Sequence, residues 1–565
     1  MTPPSAGPQA VVADGVLRVP ADLVADYQRA GWWGDESVAE LVARRARETP
    51  DGVALVAGGL RWSWREYDAA ADRVAEALGR LGRVRGDRVA VLMPDGAPIH
   101  AALVGCARAG LVAVGIGARA GEAEIQHLLR RTGAVAVLTG PRHGAQASTE
   151  VVASLRSQGW ELSHLCIDGD RVEVVEAGGE GARPAGAGVP APLRPWEVNM
   201  LNSTSGTTGL PKVVTQFDLR WLHFSDLAIE AGALSADDVV LAVVPTPFGF
   251  GLWTSHFVGA RLGAATVVMP RFDADGLARL IEAERATVLC CVSTQFRMLL
   301  NSPEVERRDL GSLRVVFTGG EAVPYERALE LERRTGATVL QFFGSNETGA
   351  LSRTTLADDP VTRLRTSGRV LPHMQVRVVD EAGVVQQGEA RGRPAGRGPL
   401  TCLGYWDDED ANRRLYTEDG WMLMGDVVAR DAQERLTVVG RDSDIIIRGG
   451  KNISAPQVEA LVDTHPAVAL VGVVPVPDPL FGERVCAVVQ PRPGVTLDLP
   501  ELVAHLLAQG VSKELLPEHL VLVADMPRSS GAKLAKAEVR RIAAAAVAPD
   551  APHIGAVAPG PPSAD

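Results

Sequence analysis

Residues 202–212 read Asn-Ser-Thr-Ser-Gly-Thr-Thr-Gly-Leu-Pro-Lys, the densest chemistry in the 565-residue chain. Thr204, Ser205, Thr207 and Thr208 offer hydroxyl donors, and Gly206 and Gly209 let backbone N–H groups approach an anion closely. Lys212 closes the run with a mobile positive charge. Together they make a cradle for a polyphosphate. The spacing is not the G-x-x-x-x-G-K-[ST] of a Walker A loop. A bare Ser/Thr/Gly cluster is also compatible with an ordinary turn between a strand and a hairpin.

Short apolar runs at 53–56, 89–93, 111–114 and 135–138 alternate with helix-period segments at 67–81 and 122–131. Strands alternating with helices of that length predict βαβ units and parallel sheets, an α/β fold. Further apolar runs at 239–244, 265–269, 288–292 and 314–317 extend the pattern. After Gly440 the character changes to a smaller unit, with strands expected at 467–474, 485–489 and 520–523 and helices at 456–462 and 499–507. The expected organisation is a loose segment 1–20, a large domain 21–441, a small α+β domain 442–545 and a disordered Pro/Ala-rich tail 546–565. Residues 177–194 lack bulky apolar side chains and read as a surface loop.

Lys and Arg total 57 against 69 Asp and Glu, a net charge of -12 that argues against duplex binding. The six cysteines, Cys106, Cys166, Cys290, Cys291, Cys402 and Cys486, show no zinc-ligand spacing. They are expected to be reduced, buried thiols of a cytoplasmic protein. No secretory signal and no run of about 18 apolar residues is visible, so no spanning helix is expected.

The full string Ser205-Gly206-Thr207-Thr208-Gly209-Leu210-Pro211-Lys212 resembles the signature loop of the adenylate-forming superfamily, which includes acyl- and aryl-CoA synthetases, peptide-synthetase adenylation domains and luciferases. Other stretches resemble the family's motifs in the same order. Trp62–Tyr67 and Gly86–Ala90 look like its early landmarks, and Gly319-Gly320-Glu321 like the loop against adenine. Phe343-Gly344-Ser345-Asn346-Glu347 is similar to Y/F-G-x-T-E, with Asn346 in place of Thr, and 421–426 to the block ending T-G-D. Residues 526–536 resemble P-R-T-x-S-G-K-x-x-K, with Gly531 and Ala532 where Ser-Gly is usual.

The resemblance implies ATP-dependent joining of a carboxylate to AMP. Gly320, Glu321, Phe343, Gly344 and Asn346 would surround the nucleotide. Asp426 would accept from both ribose hydroxyls, and Arg441 would reach the ribose or phosphate. Glu347 would hold Mg²⁺, since a hard cation bridging phosphates needs a carboxylate oxygen. Lys533 falls on the catalytic lysine, whose charge would stabilise the equatorial oxygens at phosphorus. The implied fold has a mobile C-terminal domain pivoting at Ser443. The pattern is closest to acyl- and aryl-CoA synthetases and stand-alone aryl-acid AMP ligases.

Residues 245–255 (PTPFGFGLWTS) fall on the family's acyl pocket. No Asp there could pair an α-ammonium, which argues against an amino acid. Phe248, Gly249, Phe250 and Trp253, with Gly319, suggest a flat or apolar acid, aryl or alicyclic; the aromatics could also be core. Residues 448–453 (RGGKNI) resemble the block of CoA ligases, so CoA or a carrier-protein thiol is the default acceptor. An amine acceptor, or activation of nitrite toward an aromatic amine, stays open. So do a non-catalytic nucleotide-binding module and a P-loop kinase or ATPase, which would form ADP.

Overall fold

The computed structural model describes residues 10–13, 15–176, 190–203, 211–441, 444–448, 451–529 and 533–547. Thr204–Gly209 of the expected phosphate loop, the expected pivot Ser443, Gly531–Ala532 and residues 548–565 of the expected tail lie outside the described residues.

Two mixed, mostly parallel sheets form the large domain. The first runs Arg171–Glu176, Ser163–Asp168, Ala136–Thr139, Arg88–Leu92, Val112–Ile116, Met200–Ser203 and Val213–Gln216 in spatial order, antiparallel only at its two edges. The second has nine strands, and Thr338–Ser345, Val315–Gly319, Val288–Cys290, Val239–Ala242, Ala265–Val268 and Val53–Ala57 are its parallel centre. Val112–Ile116 and Val288–Cys290 are buried throughout, as strands covered on both faces must be. Local chemistry starts the helices between them. Ser63 and Glu66 form a reciprocal capping box for Trp64–Arg80, with Glu66 N–H on Ser63 Oγ at 3.3 Å and Ser63 N–H on Glu66 Oε2 at 2.7 Å.

Residues 375–441 form a largely antiparallel sheet whose last strand is Leu436–Arg441. The chain then enters a separate five-stranded sheet at Ile445–Arg448, which carries the helices Ala455–Val462, Leu499–Ala508 and Lys536–Val547. The N-terminal segment departs from expectation. Val11–Ala13 and Val16–Arg18 pair as a hairpin, and Val16 and Val19 are buried. The apolar side chains in an otherwise Pro/Ala-rich run supply the anchor that overall composition hides.

The small domain docks on the large one through buried charge. Asp463 pairs with Arg297, and Arg327 Nε lies 3.4 Å from Asp463 Oδ2. Asn301 Nδ2 donates to the Ala469 carbonyl at 3.1 Å.

Candidate active site

The parallel strands Val315–Gly319 and Thr338–Ser345 end side by side, with Gly319 paired to Phe342. Their carboxyl ends release Gly320-Glu321 and Asn346-Glu347 into one crevice, the usual ligand position of an open α/β sheet. Gly320 has φ +77°, a conformation open chiefly to glycine. A Cβ there would lie 2.6 Å from Lys533 Nζ. The lysine from the far end of the sequence therefore rests on the loop after the strand Val315–Gly319.

Burial, followed by the Arg441 guanidinium, lowers the Lys533 ammonium below the usual lysine range, while Glu321, Asp426 and Glu347 pull the other way. Asp426 and Arg441 face each other across paired strands, with Arg441 Nε donating to Asp426 Oδ1 at 2.8 Å. Glu347 accepts from the Tyr405 hydroxyl at 2.7 Å through Oε1, and Oε2 has no partner among the described residues. Burial and that carboxylate push the Tyr405 phenol far above its ordinary value, so it remains a donor. The single open carboxylate oxygen fits Mg²⁺, which binds through one or two carboxylates and keeps water and phosphate oxygens as its other ligands. Lys212 Nζ stands 4.8 Å from the centre of the Tyr405 ring.

Glu321, from the loop expected to lie against adenine, makes protein contacts on two sides. It accepts from the Thr294 N–H at 3.0 Å and from the Ser293 and Thr294 hydroxyls, at the start of the helix Ser293–Leu300. It also accepts from the Leu534 N–H at 3.3 Å, one residue past the lysine. Glu321 thus ties the lysine loop to the large domain. Phe343 is buried at the end of its strand, and Gly344 passes so close to the Gly349 carbonyl that no side chain fits.

Around residues 248–253 the aromatics divide. Phe250 is half-buried and lies 3.5 Å from where a Gly319 Cβ would be. Phe248 is 8% exposed and starts the short helix Gly249–Leu252. Of the two readings the sequence left open for Trp253, the structure shows the packing: it is 2% exposed, lies among Phe224, Phe317 and Phe342 with ring centroids 4.9–5.7 Å away, and backs Phe250. Its large ring satisfies the core between the two sheets.

Sequence reasoning assigned no role to Gln216 and Arg220. Arg220 is 1% exposed and reaches the Asn346, Glu347 and Leu400 carbonyls. Burial lowers its pKa only to about 10, so it stays charged at neutral pH. One signal was available: Arg220 interrupts a helix, Asp218–Gly232, that is buried on nearly every side, and a buried charge needs partners.

This geometry coincides with the families the chain matches. Residues 42–406 match the AMP-binding enzyme model and residues 457–533 the AMP-binding enzyme C-terminal domain model. A salicyl-AMP ligase / salicyl-S-ArCP synthetase of Mycobacterium tuberculosis is 31% identical, over 93% of this chain and 94% of that protein. An indoleacetate–CoA ligase of Aromatoleum aromaticum is 31% identical over 90% and 98%. The crystal structure of ATP-bound MatB from Rhodopseudomonas palustris superposes with a TM-score of 0.75 at 26% identity, covering 89% of this chain and 98% of that one. Fold and sequence together define an ATP-dependent, AMP-forming ligase. The chain belongs to the AMP-binding enzyme family. Among its described residues no helix is long and apolar enough to cross a membrane.

Proposed function

We propose that this enzyme activates a small aromatic or alicyclic acid as its acyl adenylate and passes the acyl group to a thiol, CoA or that of a carrier protein. The observation that carries the reading is Lys533 over Gly320, with Glu347, Asp426 and Arg441 close enough to bias its charge. An ammonium group in that crevice serves one step above others. When a carboxylate oxygen attacks the α-phosphorus in line, the P–O bond to pyrophosphate breaks and charge spreads over the equatorial oxygens. Lys533 stabilises that charge without reorganising. Glu347 would hold Mg²⁺, which neutralises the phosphates when bound. Asp426, an acceptor only, suits the ribose diol once Arg441 shares it.

The acid class follows from Phe250 against Gly319 and from the lack of any carboxylate between residues 245 and 255. The aromatic acids in the names of the salicyl-AMP and indoleacetate–CoA ligases point the same way. Both names also support a thiol acceptor. In the second step the thiolate sulfur attacks the acyl carbonyl, the C–S bond forms and AMP leaves.

The test is hydroxylamine-trapped pyrophosphate release across benzoate, salicylate, anthranilate, indole-3-acetate and cyclohexanecarboxylate, with and without CoA. Aromatic acids should give AMP and pyrophosphate. ADP as product, or ATP binding with no release for any acid, would reject the reading.

A further inference from the structure

The buried amides of Asn202 and Gln216 meet the half-buried amide of Asn346, which lies beside Gly249, and their ends fix which way each one points. Arg220 Nη1 and Trp221 Nε1, which can only donate, both reach Gln216 Oε1, at 2.7 and 2.9 Å. The Gln216 NH₂ must therefore face the other way, toward Asn202 Oδ1 at 2.8 Å and Asn346 Oδ1 at 3.1 Å. With its oxygen so engaged, Asn202 turns its Nδ2 to the Pro247 carbonyl, an acceptor only, at 2.8 Å. Asn346 then donates one Nδ2 hydrogen to Asn202 Oδ1 at 2.9 Å. Its second Nδ2 hydrogen has no partner among the described residues.

The backbone under this amide is held by the same arginine. Arg220 Nη2 donates to the Asn346 and Glu347 carbonyls at 3.1 and 3.2 Å, and its Nε to the Leu400 carbonyl at 2.8 Å. The space is also specified. A Cβ on Gly249 would fall 2.6 Å from Asn346 Oδ1, so the amide occupies the room a side chain at 249 would need. Asn202, Gln216 and Arg220 are each 1% exposed.

We propose that Asn202, Gln216 and Arg220 are positioning residues that hold the Asn346 amide in a single orientation, its Oδ1 beside Gly249 and its second Nδ2 hydrogen left to the oxygens at the reacting carboxylate and α-phosphate. The inference rests on the adenylation reading above. A threonine hydroxyl would rotate to suit its surroundings; an amide has a donor end and an acceptor end, and the network decides which end is engaged and which hydrogen is left over. A donor fixed in advance costs no reorganisation during reaction.

The test is a double-mutant cycle read as single-turnover pyrophosphate release, with whichever of benzoate, salicylate, anthranilate or indole-3-acetate reacts fastest. Gly249→Ala alone should slow release by about tenfold or more, with MgATP affinity kept within about twofold. In the Asn346→Ala background, where the obstructing amide is gone, the same change should cost less than about twofold. Equal fold losses in both backgrounds overturn the proposal, and so does loss of MgATP binding on Gly249→Ala.

Gln216→Glu gives a second readout. The new carboxylate presents only acceptors to Asn202 and Asn346, so release should fall at neutral pH and recover as pH drops and the carboxyl regains a donor. A loss that does not change with pH means Gln216 serves packing alone and overturns the proposal. Lys533→Ala separates the two levels. If it abolishes release while the cycle is multiplicative, the positioning inference fails by itself; if it leaves release intact, the adenylation reading fails.

Discussion

Lys533 Nζ and Gly320 are in direct contact, with the amine 2.6 Å from the point a Cβ would take. The small domain is thereby seated with its lysine in the crevice, and the loop after Val315–Gly319 is shaped to receive it. Lys533→Ala should cut adenylate formation by about 10²–10³, the usual cost of one preorganised charge, while ATP still binds. Gly320→Ala should act in the same direction by displacing the amine and straining the backbone at φ +77°. Pyrophosphate release measured with the best acid checks both, and wild-type rates in Lys533→Ala would remove the lysine from the chemistry.

Asp426 is 8% exposed and shares its Oδ1 with Arg441. A carboxylate that touches ribose throughout the reaction contributes uniform binding, so Asp426→Ala should raise the KM for ATP by about tenfold with a smaller change in kcat. The variant also frees Arg441, which shares the crevice with Lys533. Steady-state kinetics with ATP and GTP are the check. Unchanged constants for both nucleotides would place Asp426 outside the nucleotide site.

Much of this site is legible before any coordinates, and what is not has a physical reason. Lys533, Glu347, Asp426 and Gly320 stand in short motifs that resemble the family's, and the apolar runs near residues 89, 112, 288 and 315 lie within or beside parallel strands. The alternation of these runs with helices is a local signal, so it survives in one dimension. The Asn202–Gln216–Asn346 network is not local. Its members lie 14 to 144 positions apart, and no period links them. Glu321 is a similar case: its place after a buried strand is visible, but that it ends on Thr294 and Leu534 depends on how two domains meet. Thr204–Gly209 of the expected phosphate loop and the expected pivot Ser443, both readable in sequence, lie outside the described residues.

Asp463 is a latch between the domains. Its carboxylate is 3% exposed, paired with Arg297, and its backbone carbonyl and that of Val468 lie 3.4 and 3.5 Å from Arg327. Any swing of the small domain must break this pair. Removing one partner of a buried pair leaves the other charge uncompensated, typically a cost of about 3–5 kcal/mol. Here that cost falls on the docked pose. Asp463→Ala should therefore slow pyrophosphate release by about tenfold or more, while attack of a thiol on preformed adenylate is preserved or faster. A paired assay of the two half-reactions checks this. Equal losses in both would mean the variant damages the small domain rather than its docking.

Asp218 makes stability depend on pH. It opens the helix Asp218–Gly232 and accepts from the Val38 N–H at 2.8 Å and from the Asn199 amide, so one carboxylate ties the starts of the helices Val38–Glu48 and Asp218–Gly232 to the residue before the strand Met200–Ser203. Burial raises its pKa from 3.8 to about 7; those two hydrogen bonds oppose the rise, and the nearby charge of Glu40 adds to it. Between pH 4 and 7 the folded chain then holds a proton that the unfolded chain has released. Stability therefore falls as pH rises through that window, because ionising Asp218 in place is harder than ionising it in water. Asp95, raised to about 6 by burial, has the same sign. Asp218→Asn removes the first contribution and leaves the second, so the difference between wild type and variant isolates Asp218. Wild-type Tm minus variant Tm should fall by a few degrees from pH 4.5 to pH 7.5. A difference that stays flat across that range would show that Asp218 is ionised throughout, with the Val38 and Asn199 donors outweighing its burial.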